Sequence, residues 1–515
     1  MPGDIASRVG LLKGYANLPE RFYARVKPTP VPKPNLIQFN RALAAQLNLD
    51  IGAFEDIGLA AVFSGNTLID GSEPIAMAYA GHQFGHFVPQ LGDGRAILLG
   101  EAQDREGIRR EIQLKGAGRT PYSRSGDGRA ALGPVLREYL VSEAMYALGI
   151  PGTRALAAVM TGELVAREEM LPGAIFTRVA LSHVRVGSFQ FFAAREDHAA
   201  IKLLADYVIA RHYPELKITE RPYLELLRAV CERQASLIAR WMQVGFIHGV
   251  MNTDNMTLSG ETIDFGPCAF VDSYDPATVF SSIDSRGRYC YENQPQAAQW
   301  NLARFAETLL PIIDAGSGSG SGSGSDSDSD SDLASASKNA VVLATSVLEE
   351  FPSRFEAHWL AGMRRKLGLV TDEPGDLQLA RDLLAAMHRG QADFTLTFRG
   401  LCDVAGETTA IAGRLLSDVA GLDNWLGHWR SRLEREPPDA RASRAALMRS
   451  ANPAFIPRNH RVQLVIRAAL EREDFKPFEE LLAVLSRPYT DQPGFENYAL
   501  PPRPEERVLH TFCGT

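Results

Sequence analysis

Asp254-Asn255-Met256-Thr257-Leu258-Ser259-Gly260-Glu261-Thr262-Ile263-Asp264 runs directly into Phe265-Gly266. Ser259-Gly260 is a natural two-residue hairpin turn. In that register Leu258 faces Glu261, Thr257 faces Thr262, Met256 faces Ile263, and Asn255 stands directly opposite Asp264. Opposed residues of an antiparallel pair have Cβ atoms ~4.5–5.5 Å apart, near enough for an amide oxygen and a carboxylate to share one hard cation. Two oxygen ligands, with positions left for substrate phosphates, suit Mg2+ or Mn2+. Taken alone, the same residues also describe an exposed hairpin whose Asn and Asp cap its base, so the choice rests on what lies upstream.

Immediately upstream, His248-Gly249-Val250-Met251-Asn252-Thr253-Asp254-Asn255 fills the frame of a protein-kinase catalytic loop, His-Arg-Asp-x-x-x-x-Asn, whose Asp accepts the substrate proton. That position holds Val250, and a carboxylate appears only later, at Asp254. Either the loop is inert or its base has moved. Farther back come a Gly-rich turn, Gly92-Asp93-Gly94, and two predicted strands, Arg95 to Glu101 and Glu111 to Lys115, joined by the turn-rich Ala102 to Gly107. In the second strand Ile112 and Leu114 share one face, and Gln113 and Lys115 the other. A helix is predicted from Pro134, with Leu132, Val135, Leu136, Leu140, Ala144 and Leu148 as its apolar stripe and Gly149 and Pro151 as its stop. Glu138 lies off that stripe.

Glycines let backbone N–H groups approach a polyphosphate, a lysine neutralises its charge, and a helix glutamate fixes the lysine by pairing with it. Singly, each signal is weak: a Gly-x-Gly turn is most often a plain hairpin, and Lys115 or Glu138 alone reads as a solvated residue. The order of the parts carries the argument. A second long helix is predicted from about Tyr223 to Val244, with Leu227, Val230, Cys231, Leu237, Ile238 and Trp241 at helical spacing.

The chain has 515 residues, 45% apolar and 23% charged, which points to a soluble globular protein of several compact units. A net charge of −8 argues against a nucleic-acid coat. No run is apolar enough to span a bilayer, and Met1-Pro2-Gly3-Asp4-Ile5 lacks the features of an export signal, so a cytoplasmic location without membrane contact is expected. Cys231, Cys268, Cys290, Cys402 and Cys513 are scattered, with no pair spaced for zinc or redox chemistry. Gly-Ser and then Ser-Asp alternation from Ala315 to Asp332 offers nothing to bury and reads as a disordered linker.

Five long stretches together resemble the selenoprotein O family: Gly81-His82-Gln83-Phe84-Gly85-His86-Phe87, Gln90 to Ala96, Gln113 to Arg124, His248 to Met256, and Ile263 to Pro267. The similarity covers nearly the whole chain outside the Gly-Ser-Asp insertion. It implies a pseudokinase fold that binds ATP in a flipped orientation and transfers AMP to Ser, Thr or Tyr hydroxyls of proteins. By motif, the nucleotide-binding positions it implies are Gly92, Gly94, Arg95, Lys115, Asp127, Gly128, Arg178 and Arg185. It further implies Asp254 as proton acceptor, Glu138 as the partner of Lys115, and Asn255 and Asp264 as the Mg2+ or Mn2+ ligands. For Asp127, Arg178 and Arg185 the resemblance is the only warrant. The family often carries a reactive selenocysteine or cysteine near its C-terminus, and Cys513 is similar. Phe280 stands where a cysteine partner is expected, with Cys268 and Cys290 the nearest alternatives.

The expectation is therefore an α+β, protein-kinase-like, two-lobed fold. Its expected parts are an N-terminal extension (1–80), an N-lobe (81–190), a C-lobe (191–314), a disordered linker (315–337) and a helical C-terminal region (338–515). Protein AMPylation is favoured. Ordinary phosphorylation is opposed by Val250, and a nucleotide-sensing scaffold has no evident need for both metal ligands.

Overall fold

Alternation along the strand that ends in Lys115 sets the first layer: Ile112 and Leu114 enter an apolar cluster while Gln113 and Lys115 turn the other way to polar partners. The structure, a computed structural model, describes residues 10–49, 54–313, 329–406 and 422–512. In chain order its first ten strands are β1 (Tyr23–Arg25), β2 (Asn35–Phe39), β3 (Ile75–Met77), β4 (Gly81–Gln83), β5 (His86–Val88), β6 (Ala96–Gln103), β7 (Arg109–Lys115), β8 (Ala130–Ala131), β9 (Arg154–Ala166) and β10 (Met170–Ala180). One sheet runs β1-β3-β6-β7-β10-β9-β2 with β8 against β10, while β4 and β5 form their own hairpin. In the β6–β7 pair, Ala96 lies opposite Lys115 and Leu98 opposite Gln113, with a bulge between Leu98 and Gly100.

Strands β1, β2 and β3 precede residue 81, so the stretch expected as an N-terminal extension is laced into the central sheet. They cover the hydrogen-bonding groups that β6 and β9 would otherwise expose as edges. Helices α1 (Arg41–Gln46) and α2 (Asp56–Phe63) cover one face of the sheet, packing Leu43, Leu59 and Phe63 against Ile97, Ile112 and Leu114. On the other face α3 (Leu132–Ala147) packs Leu136, Tyr139 and Leu140 against Ala158 and Phe176. Pro134 falls in its first turn, where the missing N–H costs nothing, and Gly149 at φ +75° follows its end.

Beyond the sheet the chain is mainly helical: α4 (Val186–Ala193), α5 (His198–His212), α6 (Pro222–Gln243), α7 (Gln294–Ile313), α8 (Ser329–Glu349), α9 (Phe351–Leu367), α10 (Asp376–Arg389) and α11 (Phe394–Ala405). Helix α6 buries Leu227, Val230, Cys231, Leu237, Ile238 and Trp241, the predicted stripe. Two later helices, Asn459–Arg472 and Lys476–Leu485, return to α3, where Val465, Phe478 and Leu481 join its apolar cluster. There Arg137 Nη1 donates to Asn459 Oδ1 at 2.9 Å. Of the expected linker, 315–337, residues 315–328 lie outside the described residues, but α8 already begins at Ser329. Gly-Ser alternation has ended by then, and Leu333, Ala334 and Ala336 are good helix formers. Among the described residues no helix is long and apolar enough to cross a membrane.

Candidate active site

A cleft of about 860 Å³ opens between the sheet and the helical half of the chain. The alternation of β7 delivers Gln113 and Lys115 to it, and β10 sets Arg178 directly opposite Gln113. Lys115 Nζ donates to Glu138 Oε1 on α3 at 2.6 Å, and it also contacts Asp264 Oδ1. Arg178 donates from Nη1 to the same Asp264 oxygen at 3.0 Å and from Nε to Gln113 Oε1 at 2.7 Å. Burial pushes the Asp264 carboxyl upward, but the Lys115 and Arg178 cations outweigh it and hold the group well below the usual carboxylate range.

Gly92, Gly94 and Arg95 line the same cleft, as do Asp127 and Gly128. Gly92 has φ +73°, and a Cβ there would meet the Tyr122 ring at 2.3 Å, so the close approach requires glycine. Thr120 Oγ1 donates to the Asp93 carbonyl at 2.6 Å, and Ser123 Oγ donates to that of Gly94, tying the turn to its neighbour. The Asp127 carboxylate is taken by Arg167, at 2.8 and 3.2 Å. Arg185 is placed differently from the other expected nucleotide ligands. It is buried behind the cleft wall, under the Tyr79 ring at 4.4 Å, with Nη1 donating to the Asp254 carbonyl at 3.0 Å.

Strands β11 (Phe246–Ile247) and β12 (Ala269–Phe270) pair at the base of the loop that carries the remaining groups. Within it, the bridge Met256↔Thr262 puts the chain one residue out of the expected register. Thr257 is the cause. Its Oγ1 donates to the Glu261 carbonyl at 2.6 Å and accepts from the Glu261 N–H at 3.0 Å, replacing the main-chain bonds of a two-residue turn. Asn255 and Asp264 are therefore not cross-strand partners. Asn255 ends a 3-10 turn, Thr253–Asn255, with Nδ2 donating to the Val250 carbonyl at 2.9 Å, while Asp264 has a left-handed backbone at φ +63°. Both still line the cleft.

The same turn buries Glu261, whose carboxylate accepts from Ser259 Oγ at 3.0 Å and Leu181 N–H at 2.9 Å. Burial pushes this group up to about 7. Its folded pKa thus lies above the unfolded value, so the stability it contributes is present at low pH and is lost as pH rises toward 7. Glu261→Gln keeps both acceptor contacts and removes the charge. It should raise the melting temperature at pH 8 by several degrees more than at pH 5, a difference of roughly 2–3 kcal/mol. Equal shifts at the two pH values would refute the assignment.

Asp254 is buried at the floor of the cleft. Its Oδ2 accepts from Gln83 Nε2 at 3.3 Å, and its Oδ1 has no hydrogen-bond partner among the described residues. Burial, opposed by Arg185, pushes its carboxyl up to about 6, which leaves it ionised at neutral pH and suited to accept a proton. Its seat is the β4–β5 hairpin, where a Cβ on Gly81 would lie 2.7 Å from Asp254 Oδ1. The hairpin is bonded to the loop by His82 N–H to Thr253 Oγ1 at 2.7 Å and Phe84 N–H to Asn252 Oδ1 at 2.9 Å. Sequence reasoning assigned no role to Gln83. The signal was present in the Gly81-to-Phe87 motif, but nothing local ties that motif to residue 254.

No group of three or more His, Cys, Asp or Glu side chains positioned for a metal occurs among the described residues. The two residues expected to bind a metal offer a set of another type, the Asp264 carboxylate and the Asn255 amide oxygen, the latter fixed by its Nδ2 bond to Val250, and both line the cleft. Such a set fits Mg2+ or Mn2+, which take a few protein oxygens and complete their shell with phosphate and water.

Cys513 lies outside the described residues. The described tail before it is held by hydrogen bonds at Thr511: Thr511 N–H donates to the Phe280 carbonyl at 2.7 Å, Ser282 N–H donates to the Thr511 carbonyl at 3.0 Å, and Thr511 Oγ1 donates to the Pro267 carbonyl. Cys268 and Cys290 are buried, and Cys268 Sγ donates to the Phe265 carbonyl at 3.1 Å.

The family model described as protein adenylyltransferase SelO matches residues 11–486. The protein nucleotidyltransferase YdiU of Rhizobium meliloti is 63% identical over 97% of this chain and 98% of its own. Those of Rhodopseudomonas palustris and a Bradyrhizobium species are each 60% identical over 97% of this chain and 98% of their own. With that coverage, this chain belongs to the SelO family of protein adenylyltransferases.

Proposed function

We infer that this chain is a protein nucleotidyltransferase that moves AMP from ATP to Ser, Thr or Tyr hydroxyls and releases pyrophosphate. The observation that carries the reading is the pairing of a hydrocarbon, Val250, at the kinase base position with a buried, half-unpartnered carboxylate, Asp254, in the same cleft. The Asp254 carboxylate accepts the proton of the acceptor hydroxyl. The hydroxyl oxygen then bonds to the α-phosphorus as the bond to the bridging oxygen of pyrophosphate breaks, and the electron pair leaves with pyrophosphate. Lys115, held by Glu138, together with Arg178 and Arg95, supplies positive charge for the phosphates. Arg185 acts from behind, holding the main chain of Asp254 through its carbonyl. Asn255 and Asp264 would hold Mg2+ or Mn2+, which when bound neutralises phosphate charge.

The reading includes a two-lobed kinase-like unit. Residues 81–190, completed by the strands of 1–80, form the lobe with Lys115 and Glu138. Residues 191–314 form the lobe with Asp254 and Asp264, and 338–515 a helical region packed on both. A cytoplasmic setting, in which the four described cysteines stay reduced, belongs to it as well. ATP labelled at the α-phosphate should leave its label on protein, and ATP labelled at the γ-phosphate should not. Attachment of the γ-label alone would make the chain a kinase, and attachment of neither would favour a nucleotide-binding scaffold.

A further inference from the structure

The β4–β5 hairpin has a second side. Its inner side grips the loop of Asp254; its outer side carries Phe87, 40% exposed, and packs His82 edge-on against Trp300 at 5.2 Å. Two guanidinium groups lie on the same indole, Arg288 at 4.8 Å and Arg304 at 5.1 Å. A Cβ added at Gly85, at the hairpin tip, would stand 3.6 Å from the Arg288 guanidinium carbon. The segment that carries Arg288 starts at the cleft itself, because Ile283 lines it while remaining 58% exposed.

Charge on this rim runs against the chain's overall balance of −8. Among the described residues, Arg286, which is exposed, and Arg288 have no carboxylate within ion-pair distance. Two nearby acids are already committed: Glu307 pairs with Arg304 at 2.6 Å, and buried Asp284 accepts the main-chain N–H groups of Arg288 and Tyr289 at 2.9 and 2.8 Å. The result is a basic and aromatic ledge beside the proton acceptor. Gln83 touches Asp254, and Gly85, two residues on at the turn, lies beside Arg288; two residues span at most ~7 Å of chain.

We propose that this ledge, formed by Arg286, Arg288 and Trp300 beside the Gly81–Val88 hairpin, docks the acceptor protein and takes an acidic segment. Asp or Glu would lie about two to four residues from the modified hydroxyl, the span an extended segment needs to reach from Asp254 to the arginines. Opposite charge at such a rim selects among partners more than it adds raw affinity. This inference rests on reading the cleft as a protein-modifying site, and it names the chemistry of what that site accepts.

The test uses the full chain, ATP labelled at the α-phosphate, and paired peptides with one Ser, Thr or Tyr flanked either by Asp and Glu or by Lys. The acidic peptide should be used with kcat/KM roughly tenfold or more above the basic one. Arg286→Glu with Arg288→Glu should reverse that order, while direct ATP binding stays as in the parent chain. Because Arg288 stacks on Trp300 and its loss could disturb the loop, Arg286→Glu alone, at an exposed position, should still narrow the preference several-fold. Equal use of the two peptides, or a preference that survives charge reversal, would overturn the proposal. Label that reaches the chain itself but neither peptide would also count against docking here and leave the transferase standing. Absence of α-label from every protein would instead bring down the transferase reading, and this proposal with it.

Discussion

Replacing Asp254 by Ala is expected to lower AMP transfer by roughly 10²–10⁴-fold, the usual cost of losing a general base, while ATP still binds. The direction follows from where the carboxylate sits. Its Oδ1 is buried beside Gly81 with no hydrogen-bond partner among the described residues, and its Oδ2 is held by Gln83, so the group is oriented yet has acceptor capacity left. Lys115, Arg178 and the Gly92–Gly94 turn do not depend on that side chain, which is why nucleotide binding should survive. Restoring an aspartate at Val250 should not rescue the variant. The seat built by Gly81 and Gln83 receives a carboxylate at 254, and Val250 serves through its main chain, accepting from Asn255 Nδ2 and donating to His248 Nδ1. A variant retaining more than about a tenth of parental transfer would remove Asp254 from the proton-accepting role.

Asp264→Ala should be at least as damaging, for two separable reasons. The first is loss of an oxygen ligand for Mg2+ or Mn2+. The second is electrostatic: Lys115 and Arg178, whose side chains are 6% and 3% exposed, would lose the carboxylate that both contact. Removing one member of a buried ion pair typically costs about 3–5 kcal/mol, because the remaining charge is left desolvated. Transfer should therefore fall beyond ~10³-fold, and the melting temperature without nucleotide should drop by several degrees. Asp264→Asn, which keeps the shape and loses the charge, should show most of both effects. Full transfer by the Ala variant in the presence of a chelator would sink the metal assignment.

Much of the cleft was legible in the sequence where local rules govern. Period-two alternation placed Gln113 and Lys115 on one face of a strand, and the apolar stripe of the following helix left Glu138 off its core; the two meet at 2.6 Å. The comparison of His248 to Asn255 with the kinase frame likewise isolated Val250 and Asp254 as the anomaly. The hairpin between Asn255 and Asp264 was misjudged because turn statistics treat Thr257 as a strand residue. Its hydroxyl instead competes for the Glu261 main chain and shifts the register by one.

By itself, then, the sequence determined the α+β mixture, the order of the parts, and the presence of a carboxylate at 254 with a hydrocarbon at 250, since each depends on periodicity or on spacing over a few residues. Tertiary structure alone decided three other things. It put the strands before residue 81 into the central sheet, set Arg178 on Asp264 while sinking Arg185 behind Asp254, and seated the Asp254 carboxylate on a hairpin 171 residues away. The physical reason is that a buried charge takes its partner from whatever packing brings within about 3 Å. That juxtaposition is set by burying several apolar faces at once, and no local pattern in the chain records it.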